Sequence, residues 1–99
     1  MFVYFIRADS DDHSPIKIGV AVNVGRRLQE LQIGNHEKLY IMASIKALGE
    51  EHAYWIEKSL HKFFKSDWIR GEWFRKINMK KAEKICDTRP KHFPKNKGR

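Results

Sequence analysis

Cysteine is almost absent from this sequence, which has only Cys86 among its 99 residues. A single cysteine excludes an intrachain disulfide and any zinc site built from several cysteines. The 5 histidines are scattered through the chain and do not have the spacing of a zinc-binding motif either. We interpret Cys86 as a structural residue. A chain of this kind suits a reducing compartment, so we expect a cytoplasmic protein.

Long apolar runs are also absent. A membrane-spanning helix needs about 20 consecutive apolar residues, and no stretch of this chain approaches that length. The apolar segment Phe2–Ile6 is short, has no basic residue before it and is soon followed by aspartates, which is unlike a signal peptide. We therefore expect one small domain with no membrane association.

Net charge is missing from the first three quarters of the chain. Residues 1–74 contain 10 Lys or Arg and 10 Asp or Glu, whereas residues 75–99 contain 10 Lys or Arg against Glu83 and Asp87, so the whole net charge of +8 lies there. A basic block of this kind attracts polyanions, of which nucleic acid is the commonest. The alternative is a solvated tail that only aids solubility. We expect a domain over residues 1–88 and a basic flexible tail over residues 89–99.

Periodicity of the apolar residues predicts an α+β fold with a three-stranded antiparallel sheet flanked by helices. The strands are expected at Phe2–Ile6, Ile16–Val20 and Leu39–Ile45, with a short strand or turn at residues 71–74. The helices are expected after the N-cap Asn23, from about Gly49 to Phe64, and from the N-cap Asn78 to about Cys86. The apolar positions of the long helix are Ala53, Ile56, Leu60, Phe63 and Phe64.

Glu57 lies close to the apolar stripe of the long helix. A carboxylate on a buried face is costly unless it is paired or binds a metal. One interpretation is a metal ligand, and the other is a salt bridge at the edge of the stripe, to Arg26 or Arg27. His61 follows by four residues on the same face. It is either part of the same site or a satisfied core histidine.

Lys17 belongs to the second predicted strand. Strand alternation places Ile16 and Ile18 on one face and Lys17 and Gly19 on the other. Gly19 would allow a ligand to approach the backbone closely. The alternative for Lys17 is a solvent-facing lysine on an edge strand. Tyr4 in the first strand is either a core ring or a functional hydroxyl at the rim.

Taken together, these residues resemble the GIY-YIG nuclease superfamily. Phe2-Val3-Tyr4 resembles the first tripeptide of that family and Lys17-Ile18-Gly19 the second. Arg27 resembles the arginine of its first helix, and Glu57 resembles its metal-binding glutamate. The Lys-Ile-Gly form and the closing Glu72-Trp73-Phe74 are similar to a branch associated with phages and bacteria. Two features depart from the family pattern: Lys17 replaces the second tyrosine, and the family's late asparagine has no clear match.

The resemblance implies a DNA endonuclease that hydrolyses phosphodiester bonds with a single Mg²⁺ or Mn²⁺ ion held by Glu57. It implies catalytic roles for Tyr4, Lys17, Arg27 and His61. Arg27 would clamp the scissile phosphate, Tyr4 would act as the base with its pKa lowered by Lys17 and the metal, and His61 would assist. Lys17 is the alternative base. The DNA backbone would be contacted by the basic side chains of Arg26, Arg75, Lys76, Lys80, Lys81 and Lys84.

Two other functional classes stay open at this point. The first is a catalytically inactive DNA-binding module of the same fold, and the second is a protein-interaction adaptor. The sequence does not indicate the specificity of cleavage. Such an enzyme is non-specific, forms a homodimer, or depends on a partner protein that supplies specificity.

Overall fold

A computed structural model describes residues 1–8 and 14–87, and the predicted tail at 89–99 lies outside these residues. The described elements follow the order β1 (Phe2–Arg7), β2 (Ile16–Ala21), α1 (Val24–Ile33), β3 (Tyr40–Lys46), α2 (Glu50–Phe63), a 3₁₀ turn (Lys65–Asp67), β4 (Trp68–Arg70), β5 (Trp73–Phe74) and α3 (Met79–Cys86). In this part of the chain, no helix combines the length and apolar character needed to cross a membrane.

The sheet has five antiparallel strands in the order β3-β1-β2-β5-β4. The α+β class is confirmed, but the prediction of three strands is wrong. The two additional strands, β4 and β5, have only 3 and 2 residues. Segments this short cannot display the two-residue alternation by which a strand is recognised, and β4 is exposed along its whole length.

Helices cover both faces of the sheet. Val3, Phe5, Ile16 and Ile18 share a buried cluster with residues of α2 and α3. Tyr4 and Ile6 point to the opposite face, where the apolar stripe of α1 covers them together with Trp73. The predicted alternation of β2 is therefore confirmed. Burial of these two apolar layers supplies the main stabilisation of a domain of this size.

The helix ends follow their capping chemistry. The side-chain oxygen of Asn23 accepts a hydrogen bond from the Arg26 N–H at 3.0 Å, and that of Asn78 accepts one from the Lys81 N–H at 3.2 Å. Each cap pairs an otherwise free N–H of a first helical turn, as predicted. One position of α2 was predicted wrongly. Phe63 is 54% exposed, because it lies beside the buried stripe and Phe64 takes the inward position.

Gly19 is required by the close approach of Tyr4. The two residues are paired across β1 and β2, and the Tyr4 ring lies directly over the Gly19 Cα. A Cβ at position 19 would overlap the Tyr4 hydroxyl and its ring carbon Cζ. The glycine thus makes room for the tyrosine hydroxyl above the centre of the sheet.

Gly19→Ala should therefore displace Tyr4 and destabilise the fold. We expect a loss of about 1–3 kcal/mol in the free energy of unfolding, which is usual for overpacking a core. Urea denaturation of the variant beside Gly34→Ala measures this. Nothing lies within 4 Å of a Cβ at Gly34, so that control should stay near wild type. Equal stability of the two variants would contradict the packing of Tyr4 on Gly19.

Candidate active site

The candidate site lies where β5 ends beside the longer strand β2. β5 pairs with Ile16 and Lys17, and the Ile18 N–H then donates to the Glu72 carbonyl at 3.0 Å. β2 continues beyond this point to Ala21. Side chains from the two faces of the sheet can therefore approach one another around this edge.

Lys17 forms an ion pair with Glu72. Its Nζ lies 3.0 Å from Oε1 of Glu72 and 5.5 Å from the centre of the Trp73 ring. Lys17 is only 9% exposed and belongs to a central strand, so the interpretation as a solvent-facing edge lysine is wrong. A buried ammonium needs a partner of this kind, because leaving it unpaired costs several kcal/mol.

Glu57 brings a second carboxyl group to Glu72. Burial, together with the hydrogen bond and the negative charge of Glu72, raises the pKa of Glu57 to about 7 against the lowering effect of Lys17. Two carboxyl groups joined by a hydrogen bond share a proton, since both cannot ionise without strong repulsion. Among the described residues, no ion pair joins Glu57 to Arg26 or Arg27, which was the predicted alternative, and Arg27 pairs with Glu30 instead.

Arg27 reaches from α1 to Tyr4. Its guanidinium donates a hydrogen bond to the Tyr4 hydroxyl, and its Nη1 lies 3.2 Å from Oε1 of Glu30. The expected lowering of the Tyr4 pKa by Lys17 and a bound metal stays a prediction. Burial raises the pKa of Tyr4 above 10.0, and this effect exceeds the lowering by Arg27. The ring is only 1% exposed, so ionisation of the phenol is opposed by desolvation.

His61 is packed in the core and also lines the cleft, and its role in the site stays a prediction. Its Nε2 lies 3.2 Å from the Ile18 carbonyl oxygen, and its ring packs edge-on against Phe74 at 4.8 Å between centroids. Because a carbonyl only accepts, Nε2 carries the proton and Nδ1 is the nitrogen that can accept one. The ring is thus held by the core while it also lines the cleft beside Glu57.

The carboxyl pair opens onto a cleft of about 370 Å³, which is lined by Tyr54, Glu57, Lys58, His61 and Glu72. The structure thus brings Glu57 and His61 into one cleft. Lys17 contacts Glu72, which forms one wall of this cleft, and Arg27 contacts Tyr4. Glu72 is the residue that sequence reasoning missed. Its only signal was its place in the closing Glu72-Trp73-Phe74 motif, since an isolated acid in a turn has no pattern of its own.

The predicted basic contacts lie apart from this cleft. Arg26, Arg75, Lys76, Lys80, Lys81 and Lys84 are exposed, and none of them is among its lining residues in the part of the chain that the structure describes. Arg75 pairs with Asp67 at 3.6 Å, and Lys81 lies 5.9 Å from the centre of the Phe63 ring. Cys86 is buried, and burial raises the pKa of its thiol to about 11, in keeping with a structural role.

The donor atoms of the site suit a hard divalent cation. Carboxylate oxygens are the ligands that Mg²⁺ and Mn²⁺ prefer, and Mg²⁺ is often held by one or two carboxylates while water and substrate phosphate complete its shell. Among residues 1–8 and 14–87, no group of three or more His, Cys, Asp or Glu side chains forms a complete cage. Glu57 and Glu72 therefore fit an open Mg²⁺ or Mn²⁺ site, in which two carboxylates hold the ion and water and phosphate complete its shell.

Comparison with known proteins shows that the family model described as "T5orf172 domain" matches residues 1–88 of this chain. No curated protein and no solved structure is significantly similar to it. The match extends from β1 through α3, so it includes every residue of the candidate site described above.

The shared proton of the carboxyl pair should make stability depend on pH. The pKa of Glu57 is about 7 in the folded protein and near 4.5 when unfolded, so the folded state binds the proton more tightly. The stabilisation from this proton is complete below the pKa of Glu57 in the unfolded chain, and it is lost as pH rises through its pKa in the folded protein. Between about pH 5 and about pH 8, Glu57→Gln should gain about 1 kcal/mol relative to wild type, a figure discounted for solvent screening at this half-buried residue.

Urea denaturation in the presence of a chelator measures this dependence. Glu51→Gln on the exposed side of α2 is the matched control and should follow wild type at every pH. Parallel pH profiles for wild type and Glu57→Gln would contradict the shared proton.

Proposed function

The chain belongs to the T5orf172 domain family, a nuclease-like family, and on that premise we propose that it is a metal-dependent DNA endonuclease that hydrolyses phosphodiester bonds. The observation that carries the proposal is the Glu57–Glu72 carboxyl pair beside the buried Lys17. Two acids and a buried cation held together in an open cleft are costly for folding. Such an arrangement is typical of a site that binds charge during a reaction.

Glu57 is the residue we propose as the ligand of a single Mg²⁺ or Mn²⁺ ion, with Glu72 beside it. When bound, such an ion supplies Lewis-acid stabilisation of the leaving 3′ oxygen. Glu72 also holds Lys17 through the contact of 3.0 Å, so the ammonium is fixed at the wall of the cleft. Lys17 acts there as a positioning charge for the reacting phosphate and for the nearby Tyr4.

Arg27 is the proposed clamp for the scissile phosphate. A guanidinium can donate two parallel hydrogen bonds to a phosphate, and it stabilises the negative charge that develops on the equatorial oxygens. Its present partner Glu30 is exposed, and exposed ion pairs contribute little, so phosphate can replace this contact at small cost. His61 is proposed as a further phosphate contact through Nδ1 of its imidazolium form, in which both ring nitrogens donate.

Tyr4 is the proposed proton acceptor. A bond forms between the water oxygen and phosphorus while the bond from phosphorus to the 3′ oxygen breaks. The proton of the attacking water passes to the Tyr4 oxygen, and the leaving 3′ oxygen takes a proton from solvent. Only the phenolate can accept this proton. Because burial raises the pKa of Tyr4, the phenolate is a minor species at neutral pH, and the hydrogen bond from Arg27 stabilises it.

The alternative function is a DNA-binding module that keeps the fold without the chemistry. The exposed basic side chains of α3, which lie apart from the cleft, favour it, because they can contact DNA whether or not the cleft is active. Mn²⁺ binding measured by calorimetry distinguishes the two. A nuclease should bind Mn²⁺ and lose binding in Glu57→Ala, whereas an inactive module should show no such site.

Plasmid nicking tests the enzymatic activity directly. With Mg²⁺ or Mn²⁺, the wild type should convert supercoiled DNA to the relaxed form, and Glu57→Ala should lower the rate at least about a hundredfold. Glu51→Ala, an exposed acid on the same helix, should cleave like wild type. Absence of cleavage by the wild type with either metal would rule out the nuclease.

The pH profile of single-turnover cleavage tests the role of Tyr4. If the phenolate is the base, the rate should rise about tenfold per pH unit between about pH 7 and about pH 9, because its pKa lies above this range. Tyr4→Phe should lower the rate by about a hundredfold or more and flatten the profile. The same steep profile in Tyr4→Phe would assign the proton to another group, with Lys17 as the next candidate.

A further inference from the structure

Two side chains of the cleft have no part in the chemistry proposed above. Tyr54 and Lys58 line it together with Glu57, His61 and Glu72. Positions 54, 57, 58 and 61 recur at the spacing of a single helix face, so all four side chains project from the same side of α2. Tyr54 is one turn before Glu57, and Lys58 follows Tyr54 by one turn.

Tyr54 is the aromatic residue of this otherwise charged cleft. Its side chain is 50% exposed, although its neighbours along the cleft are acidic or basic. A single exposed aromatic residue elsewhere on a surface would need no explanation. Here the half-exposed ring lies within the same small cleft as the carboxyl pair, where a planar ligand group next to a phosphate would meet it.

We propose that Tyr54 and Lys58 form a subsite for the nucleotide that adjoins the scissile phosphate, an inference that rests on the proposed nuclease function. The Tyr54 ring stacks on the base of that nucleotide, and the Lys58 ammonium contacts its phosphate. Aromatic stacking tolerates any base, because every base presents a flat π-face, whereas the lysine provides attraction to the backbone. The subsite therefore selects nucleotides by their accessibility and not by sequence.

This subsite has a consequence for the class of substrate. Inside a duplex both faces of a base are covered by its neighbours, so a base can stack on Tyr54 only after it leaves the helix. Leaving the stack costs least where the strand is already unpaired. A cleft of about 370 Å³ suits one such nucleotide. The preferred substrate is therefore a single strand, or a junction with an unpaired nucleotide next to the cut.

Fluorescence anisotropy with labelled oligonucleotides tests the subsite without requiring cleavage. Binding is measured in the presence of a chelator, for single-stranded DNA and for duplex DNA of the same length. The wild type should prefer the single strand. Tyr54→Ala should weaken single-strand binding about tenfold, which corresponds to the usual contribution of one stacked base. Tyr54→Phe should bind like wild type, because it keeps the ring.

Tyr40→Ala is the matched control, since Tyr40 is also an exposed tyrosine, at 40%, but lies on the edge strand β3. It should leave binding unchanged. An oligonucleotide that lacks bases throughout should lose the same tenfold against wild type and nothing further against Tyr54→Ala.

The outcomes separate this inference from the proposed function. Binding that depends on the Tyr54 ring without any cleavage would support the subsite and reject the nuclease. Cleavage with equal binding by wild type and Tyr54→Ala would overturn the subsite and keep the nuclease. A wild-type preference for the duplex, equal losses in Tyr54→Phe and Tyr54→Ala, or no DNA binding at all would also overturn it.

Discussion

The ion pair between Lys17 and Glu72 is the contact on which the site depends. A lysine in the central strand β2, with its side chain 11% exposed, needs an acidic partner, because an unpaired buried charge is costly. The acid comes from the turn between β4 and β5, and Trp73 covers the same ammonium. This one requirement ties the short hairpin to β2. It also places Glu72 against Glu57, so the carboxyl pair follows from it.

The position of the candidate site in the sheet follows from the shortness of β5. A strand of only 2 residues leaves the far part of β2 open, so α1 and α2 can each contribute side chains around the same edge. Tyr4 and Lys17 come from strands and Glu57 from a long helix, and such elements hold side chains more rigidly than loops do. The exception is Glu72, which is held by its contact with Lys17 and by its backbone bond to Ile18.

Much of this arrangement was predictable, because it depends on local chemistry. The asparagine caps and the alternation of β2 are properties of neighbouring residues, and the structure confirms them. β4 was not predictable, and β5 was expected only as a short strand or turn at residues 71–74, since strands of this length acquire their identity from pairing with distant partners. The roles of Glu72 and the pKa of Tyr4 depend in the same way on burial and on distant charges, which the order of residues does not express.

The charged groups of the site divide into fixed and exchangeable ones. Lys17 is buried and paired, and it is therefore fixed. Moving its ammonium away would leave the carboxyl groups of Glu72 and Glu57 side by side with no cation to balance their charge. Arg27 is 41% exposed and pairs with the exposed Glu30, so an incoming phosphate can replace Glu30 as the partner of Arg27 without a large loss. The hydrogen bond from Arg27 to Tyr4 can persist through this exchange. A phosphate drawn to Arg27 would thus meet Tyr4 and Lys17 already in position, and reorganisation would be confined to the one group that is cheap to move.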